Sequence, residues 1–333
     1  MPRIFAVFLV GLLTAPIAAQ ATTFKIATIA PDGTSWMKEM RAGAKTIHKQ
    51  TGGRVEFQFF PGGVMGNDRS VLRKIRVGQL QGGAVTAGGL MDISRNSQIY
   101  SLPLLFHSLD EVDYVRKRMD STIMNDILQH GFVSFGLSEG GFAYLMSNRP
   151  LRSTEDLKGQ KVWAPEGDRI SRAAFEAMNI SPVPLPLSDV LTGLQTGLID
   201  TVATSYTGAI ALQWYTQVKY VTEMPLMYIY GTMIIDRNAF EKISKQDQDI
   251  VRTVMGQVFK NLNAQSRSNN AEAREALQKQ GISFVEPLPK DRREWEATTS
   301  RTNDKLAAEG VYSPALLKTL RGYLADYRRQ HGD

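Results

Sequence analysis

Few residues in this chain are typed and spaced for making or breaking bonds. The four histidines, His48, His107, His130 and His331, stand far apart in sequence, so no local pair of metal ligands exists. His107 follows the apolar run Pro103-Leu104-Leu105-Phe106, which suits either a cleft edge or a surface loop. There is no cysteine, which removes thiol nucleophiles, redox pairs and cysteine metal sites. The patterns G-x-x-x-x-G-K-[ST], G-x-G-x-x-G, H-E-x-x-H and G-x-S-x-G are all missing. Nothing in the sequence points to a carboxylate pair of the glycosidase kind. No cofactor, metal or catalytic residue is expected. What remains is binding chemistry, and residues 153–200 carry most of it. Trp163 lies where a short strand runs into a helix, the edge at which open α/β sheets hold ligands. Around it, Glu166 offers a negative charge, Arg169 and Arg172 offer positive ones, and a helix starting near Asp168 offers N–H groups that favour anions. An indole face suits an apolar, aromatic or cationic partner.

These residues need a scaffold. Residues 24–29 read as a strand, and 35–50 as a helix with Trp36, Met40, Ala44 and Ile47 on one face. Thr51-Gly52-Gly53 ends that helix, 55–60 alternates like a strand, and 68–77 is a helix stopped by Gly78 before a buried strand at 84–86. The order βαβαβ predicts a largely parallel sheet with helices on both faces. The scheme recurs. Val71, Leu72, Ile75, Gly78, Leu80 and Ala84 have ungapped counterparts in Val190, Leu191, Leu194, Gly197, Ile199 and Ala203. This echo predicts two similar α/β lobes, each with its own sheet. Residues 244–280 form the longest helical pattern, capped by Ser244 with Asp247 three residues on. Such a helix would extend roughly 55 Å, more than the roughly 30–40 Å width of one lobe. A last strand at 283–285 and helices near 291–309 and 313–330 complete the chain.

The chain has 333 residues, 39 lysines and arginines against 33 acidic residues, and a net charge of +6. The basic residues are scattered, which excludes the clustered stripe that nucleic-acid binding requires. Arg3, the apolar run 4–13 and the Ala19-Gln20-Ala21 pattern predict an export signal cleaved near Ala21. The apolar run is shorter than the roughly 20 residues that span a bilayer. The mature protein is therefore expected to be exported and soluble.

An ordered set of segments gives a more specific expectation. It comprises Thr51-Gly52-Gly53-Arg54-Val55, Phe60-Pro61-Gly62-Gly63, Val77-Gly78-Gln79-Leu80 and Leu102-Pro103-Leu104-Leu105-Phe106, then Asn148-Arg149-Pro150-Leu151 and Glu155-Asp156-Leu157-Lys158-Gly159. It closes with Pro182-Val183-Pro184-Leu185-Pro186 and Leu194-Gln195-Thr196-Gly197-Leu198-Ile199-Asp200. In this order, over essentially the whole mature chain, they resemble the extracytoplasmic solute-binding subunits of TRAP transporters, of the dicarboxylate-binding (DctP-like) type. The resemblance implies a periplasmic, non-enzymatic binding protein with a two-lobed periplasmic-binding-protein-like α/β fold, each lobe a mixed sheet flanked by helices and both braced by the long helix. Lobe I is then 22–141 with 231–268, and lobe II is 142–230 with 269–333. The lobes close on one small organic solute, and the closed form delivers it to TRAP membrane permease subunits driven by an ion gradient. A monomer suits such a carrier. A sensory protein that presents its ligand to a receptor is the alternative on the same fold.

Three positions depart from the family pattern. Where members hold a ligand carboxylate with an arginine after E-D-L-K-G, this chain has Trp163. Where a second arginine follows Gly-Phe, it has Ala143, and where an asparagine follows D-G-x-x, it has Thr204. An arginine–carboxylate pair supplies two charge-assisted hydrogen bonds in fixed geometry, and an unpartnered buried carboxylate is costly. The expected solute is thus more apolar or aromatic than a dicarboxylate, walled by Trp163, Phe142, Tyr144, Tyr206 and Trp214. Trp36, Asn67 and Gly88 are expected at the lip of the first lobe. Arg169 or Arg172 acting as a substitute clamp keeps a carboxylate ligand open. A cationic solute, with Trp163 as its π face and Glu166 as counter-charge, is a third option.

Overall fold

The computed structural model describes residues 21–332; the expected export signal falls almost entirely outside them. The first half builds as its pattern requires. β1 (Thr22–Thr28) buries Phe24, Ile26 and Ala27. α1 (Ser35–Gln50) is capped by Thr34, whose hydroxyl accepts from Met37 N at 3.3 Å. Its buried stripe is Met37, Met40, Gly43 and Ile47, so Trp36 lies one position off the expected face and is half-buried. Then come β2 (Val55–Phe60), α2 (Asp68–Arg76) and β3 (Gly82–Thr86). α3 (Leu109–Gln129), β4 (Phe132–Ser134) and β5 (Ser138–Ser147) lead into the second half. There α4 (Thr154–Leu157), β6 (Trp163–Pro165), α5 (Arg169–Ala177), β7 (Val183–Leu185), α6 (Val190–Gln195), β8 (Thr201–Thr204) and α7 (Tyr206–Ala211) alternate. The chain returns through β9 (Tyr220–Asp236), α8 (Arg237–Glu241), α9 (Lys245–Lys279), β10 (Ser283–Val285), α10 (Pro289–Ala308) and α11 (Pro314–His331).

One hydrogen-bonded path of strands runs β2-β1-β3-β9-β5-β8, with β4 and β10 also on β9, and β6 and β7 pair separately. β1 is parallel to β2 and β3, whereas β3, β4 and β5 run antiparallel to β9. The expected pair of sheets is therefore joined, because β9 is 17 residues long and belongs to both halves. At about 3.3 Å per residue it extends roughly 55 Å. The helix–glycine–strand echo survives inside this sheet. Gly78 and Gly197 follow α2 and α6 at φ of 74° and 70°, a left-handed stop that glycine adopts without a Cβ penalty.

α9 spans roughly 52 Å and serves two cores. Val251, Met255, Val258 and Phe259 pack with Phe24, Ile26, Met40 and Ile47 of the first half. Ala273 and Leu277 pack with Trp163, Trp214 and Val221 of the second. Ser244 caps this helix through Asp247 N at 3.1 Å, and the Asp247 carboxylate pairs with Arg54 beside β2 at 2.7 Å. The last two helices also join the halves. Trp295 of α10 lies in the core of Leu157, Val162 and Phe175 and donates to Thr154 Oγ1 at 2.7 Å. Leu317, Leu320 and Leu324 of α11 pack with Val112, Val115 and Met119 of α3, where Arg328 holds the buried Glu111.

Candidate functional site

β6 ends in the short loop Glu166-Gly167-Asp168 before α5, so the sequence places Trp163 at a strand-to-helix edge. The indole is 5% exposed and donates from Nε1 to Leu185 O at 3.0 Å. The same carbonyl accepts from Glu166 N at 3.1 Å, which ties the β6 loop to β7. Trp214 meets Trp163 edge-to-face at 5.2 Å between ring centroids. Tyr206 packs in this same cluster, and the half-buried Tyr144 stacks on it at 4.4 Å with ring planes 7° apart. Burial, with the neighbouring Tyr206 and Tyr144 hydroxyls in hydrogen-bond contact, pushes the Tyr206 phenol far above the ordinary tyrosine range. Arg274 of α9 closes the far side, bound to Glu223 at 2.6 Å and stacked over Phe284 at 4.3 Å. The structure thus brings Trp163, Trp214, Tyr206 and Tyr144 into one aromatic cluster. Phe142 lies elsewhere, edge-on to Tyr228 at 5.9 Å in the core shared with α3.

The other two slots are small and dry. Ala143 on β5 is 1% exposed, opposite Met227 of β9. Thr204 on β8 is buried opposite Tyr144, and its hydroxyl lies against Gly208 of α7, where an added methyl would collide with it. The charged residues near the loop are engaged at the surface. Arg172 pairs with Glu176 at 2.7 Å and Arg169 approaches Glu309 at 3.9 Å, both arginine side chains being more than half exposed. Glu166 is exposed. The expected anion-binding N–H groups of α5 are already satisfied, because the Asp168 carboxylate accepts from Ile170 N at 3.0 Å and Ser171 N at 3.2 Å.

On the first half, Asn67 caps α2 by accepting from Ser70 N at 3.0 Å. Next to it, Asp68 Oδ2 accepts from Thr86 N at 3.0 Å and Thr86 Oγ1 at 2.7 Å, fixing the end of β3 and the Gly88-Gly89 turn. Burial raises the Asp68 carboxyl above the usual carboxylate range, although the Thr86 hydrogen bonds oppose that shift. Arg69 reaches the opposite half, where a methyl on Gly167 would lie 2.9 Å from its Nη2. Asp68 escapes sequence reading, since a helix-start acid carries no periodic signal. Trp36 packs, half-buried, at the edge of the first-half core. His107 sits at a surface, 3.9 Å from Glu296. Among the described residues no group of three or more acidic or histidine side chains could hold a metal, and no helix is long and apolar enough to cross a membrane.

The profile of the bacterial extracellular solute-binding protein family 7 (DctP) matches residues 26–309. The uncharacterized protein YiiZ of Salmonella typhimurium is 24% identical over 63% of this chain, which spans only 64% of that protein's length. The sialic acid-binding periplasmic protein SiaP of Vibrio cholerae is 23% identical, covering 84% of this chain and 88% of its own. The same fold is seen in a TRAP periplasmic solute-binding protein from Desulfovibrio salexigens with bound orotic acid, at a TM-score of 0.83 and 20% identity over 92% of this chain and 99% of that one. With the profile covering both halves and the long α9 brace in place, this chain belongs to the bacterial extracellular solute-binding protein family 7 (DctP), a family of non-enzymatic binding proteins.

Proposed function

We propose that this protein captures one small organic solute between its two halves, delivers it to TRAP membrane permease subunits, and favours a solute with a more apolar or aromatic body than a dicarboxylate. The observation that carries this reading is the occupation of the expected arginine slot by Trp163. Its single donor is already bonded to Leu185 O and its edge is sealed by Trp214, so that position has no free charge or N–H to hold a carboxylate. Ala143 and Thr204 add no cation. Arg169 and Arg172 are exposed and paired with glutamates, which weakens the clamp reading. The stacked Tyr144–Tyr206 pair adds aromatic surface to the cluster that holds Trp163.

Native mass spectrometry of protein purified from expressing cells tests the ligand class, with a co-purified ring-bearing or largely apolar solute expected. Release of a small dicarboxylate overturns the reading. In parallel, Trp163→Arg is expected to weaken binding of the co-purified solute about tenfold or more, about 1.4 kcal/mol. Unchanged affinity places Trp163 outside the site.

A further inference from the structure

A cavity of about 570 Å³ opens where α3 and α9 meet at the start of β5. Small-molecule sites usually enclose roughly 300–1,000 Å³. None of the aromatic residues around Trp163 lines it, and the capture of a solute between the halves does not use it. Four of its wall residues form one stripe of α3. Asp113, Arg116, Lys117 and Asp120 stand at i, i+3, i+4 and i+7, so they share a face of the helix. Ala264 and Arg267 of α9 and the buried Glu139 of β5 complete the wall.

The two arginines are clamped, and neither is exhausted. Arg116 donates from Nε and Nη2 to Asp120 at 3.1 and 2.9 Å, from Nη2 to Leu137 O at 2.8 Å and from Nη1 to Tyr228 Oη at 2.7 Å. Arg267 donates from Nε and Nη2 to Glu139, both at 3.2 Å, and from Nη1 and Nη2 to Asp113 at 2.9 and 2.6 Å. A guanidinium carries five N–H groups. These bonds leave one Nη1 hydrogen on each arginine without a partner among the described residues. Lys117 has an acid four residues before it and another three after, both at helical pairing distance. Both acids are taken by the arginines, and Lys117 has no ion pair or hydrogen bond among the described residues. On the acceptor side, a carboxylate offers about four lone-pair sites. Asp113 gives two of them to Arg267, and its side chain is 57% exposed. The cavity therefore holds unused donors and unused acceptors together. Its three carboxylates and three cations balance, so a lone anion or cation would upset the charge and a molecule bearing both would not.

We propose that this cavity is a second binding site, separate from the cleft between the halves, and that it takes a small zwitterion of the amino-acid type. The carboxylate end accepts from the free Nη1 hydrogens of Arg116 and Arg267 and from Lys117 Nζ. The ammonium end donates to Asp113 and Asp120. The short side chain of Ala264 leaves the space that the body of the molecule fills.

Three related probes test it, namely L-alanyl-L-alanine, which carries both charges, N-acetyl-L-alanine, which carries only the carboxylate, and L-alaninamide, which carries only the ammonium. Each is titrated calorimetrically into the mature protein. The dipeptide is expected to bind at least about tenfold tighter than either single-charge probe, the ratio that one charge-assisted hydrogen bond sets. Lys117→Gln removes the free ammonium, and Ala264→Trp fills the cavity. Both positions are exposed on their helices, so both variants are expected to fold. Each is expected to weaken the dipeptide about tenfold. Wild-type dipeptide affinity in either variant places the dipeptide elsewhere and overturns the site. Equal binding of a single-charge probe overturns the zwitterion class. Failure of the dipeptide to bind at millimolar concentration overturns both, and none of these results touches the reading of the Trp163 cluster.

Discussion

At the scale of single residues, two glycines with opposite surroundings separate packing from chain entropy. Gly82 lies in β3 between two strands. A methyl there would run into the Ile234 carbonyl oxygen of β9 and lie 2.7 Å from Ile26 Cδ1 of β1. The obstacle is backbone in a central ladder, which cannot step aside without breaking hydrogen bonds. Gly82→Ala is therefore expected to destabilise the protein by about 1–3 kcal/mol, the usual cost of overpacking. Gly256 lies inside α9 with nothing within 4 Å of an added methyl. Gly256→Ala is expected to stabilise by about 0.5–1 kcal/mol, because alanine loses less freedom in a helix. Urea denaturation of both variants checks the pair. The same sign for both would mean that one of the two environments is not as described.

Among the elements, α9 carries a polar stripe as well as an apolar one. Asn263, Ser266, Arg267 and Asn270 face the point where β5 bulges between Glu139 and Gly141. Asn263 Nδ2 donates to Leu137 O at 3.0 Å, its Oδ1 accepts from Glu139 N at 2.7 Å, and Ser266 Oγ donates to Glu139 O at 3.0 Å. The bulge leaves strand groups unpaired, and the helix satisfies them. Arg267 adds an ion pair to the buried Glu139 at 3.2 Å and to Asp113 of α3 at 2.6 Å, while Tyr228 of β9 and Arg116 of α3 complete the network. Arg267→Ala would leave Glu139 buried with only the Tyr228 hydroxyl. The loss expected is about 1–3 kcal/mol, below that of a fully buried pair because Arg267 is partly solvated, read as a lower melting temperature. Glu139→Gln in the same background should recover much of it, since the stranded charge is gone. The apolar stripe of α9 and its cap at Ser244 were legible because both are local patterns in sequence. The polar stripe was not, because Asn263 and Arg267 resemble a solvated helix face until β5 is laid against them. The site divides in the same way. Trp163 stood out by its slot beside a readable strand-to-helix turn, whereas its contacts with Leu185 O and Trp214, and the placement of Phe142 against Tyr228, depend on long-range pairing. The joined sheet also escaped, since β9 serves both halves and no short window shows that.

For the whole molecule, the proposed capture of a solute between the two halves requires them to approach and part, and the structure shows one place where they touch through a single flexible side chain. Arg69 on α2 extends to Gly167 in the loop after β6, with its Nη2 2.9 Å from where a Gly167 side chain would begin. Gly167 has a φ of 82°, so any other residue there is strained in every conformation, by roughly 1–2 kcal/mol. That strain lowers overall stability but leaves the balance between open and closed forms alone, because it is common to both. The contact with Arg69 exists only when the halves meet, but Nη2 is the far end of a long, exposed side chain that can swing aside, so a methyl at position 167 costs closure little. Gly167→Ala is therefore expected to lower melting temperature while leaving solute affinity within about twofold of wild type, with thermal denaturation and calorimetric titration as the two measurements. A severalfold loss of affinity that Arg69→Ala restores in a double-mutant cycle would mean instead that Arg69 is held in place and that its approach to the Gly167 loop governs closure.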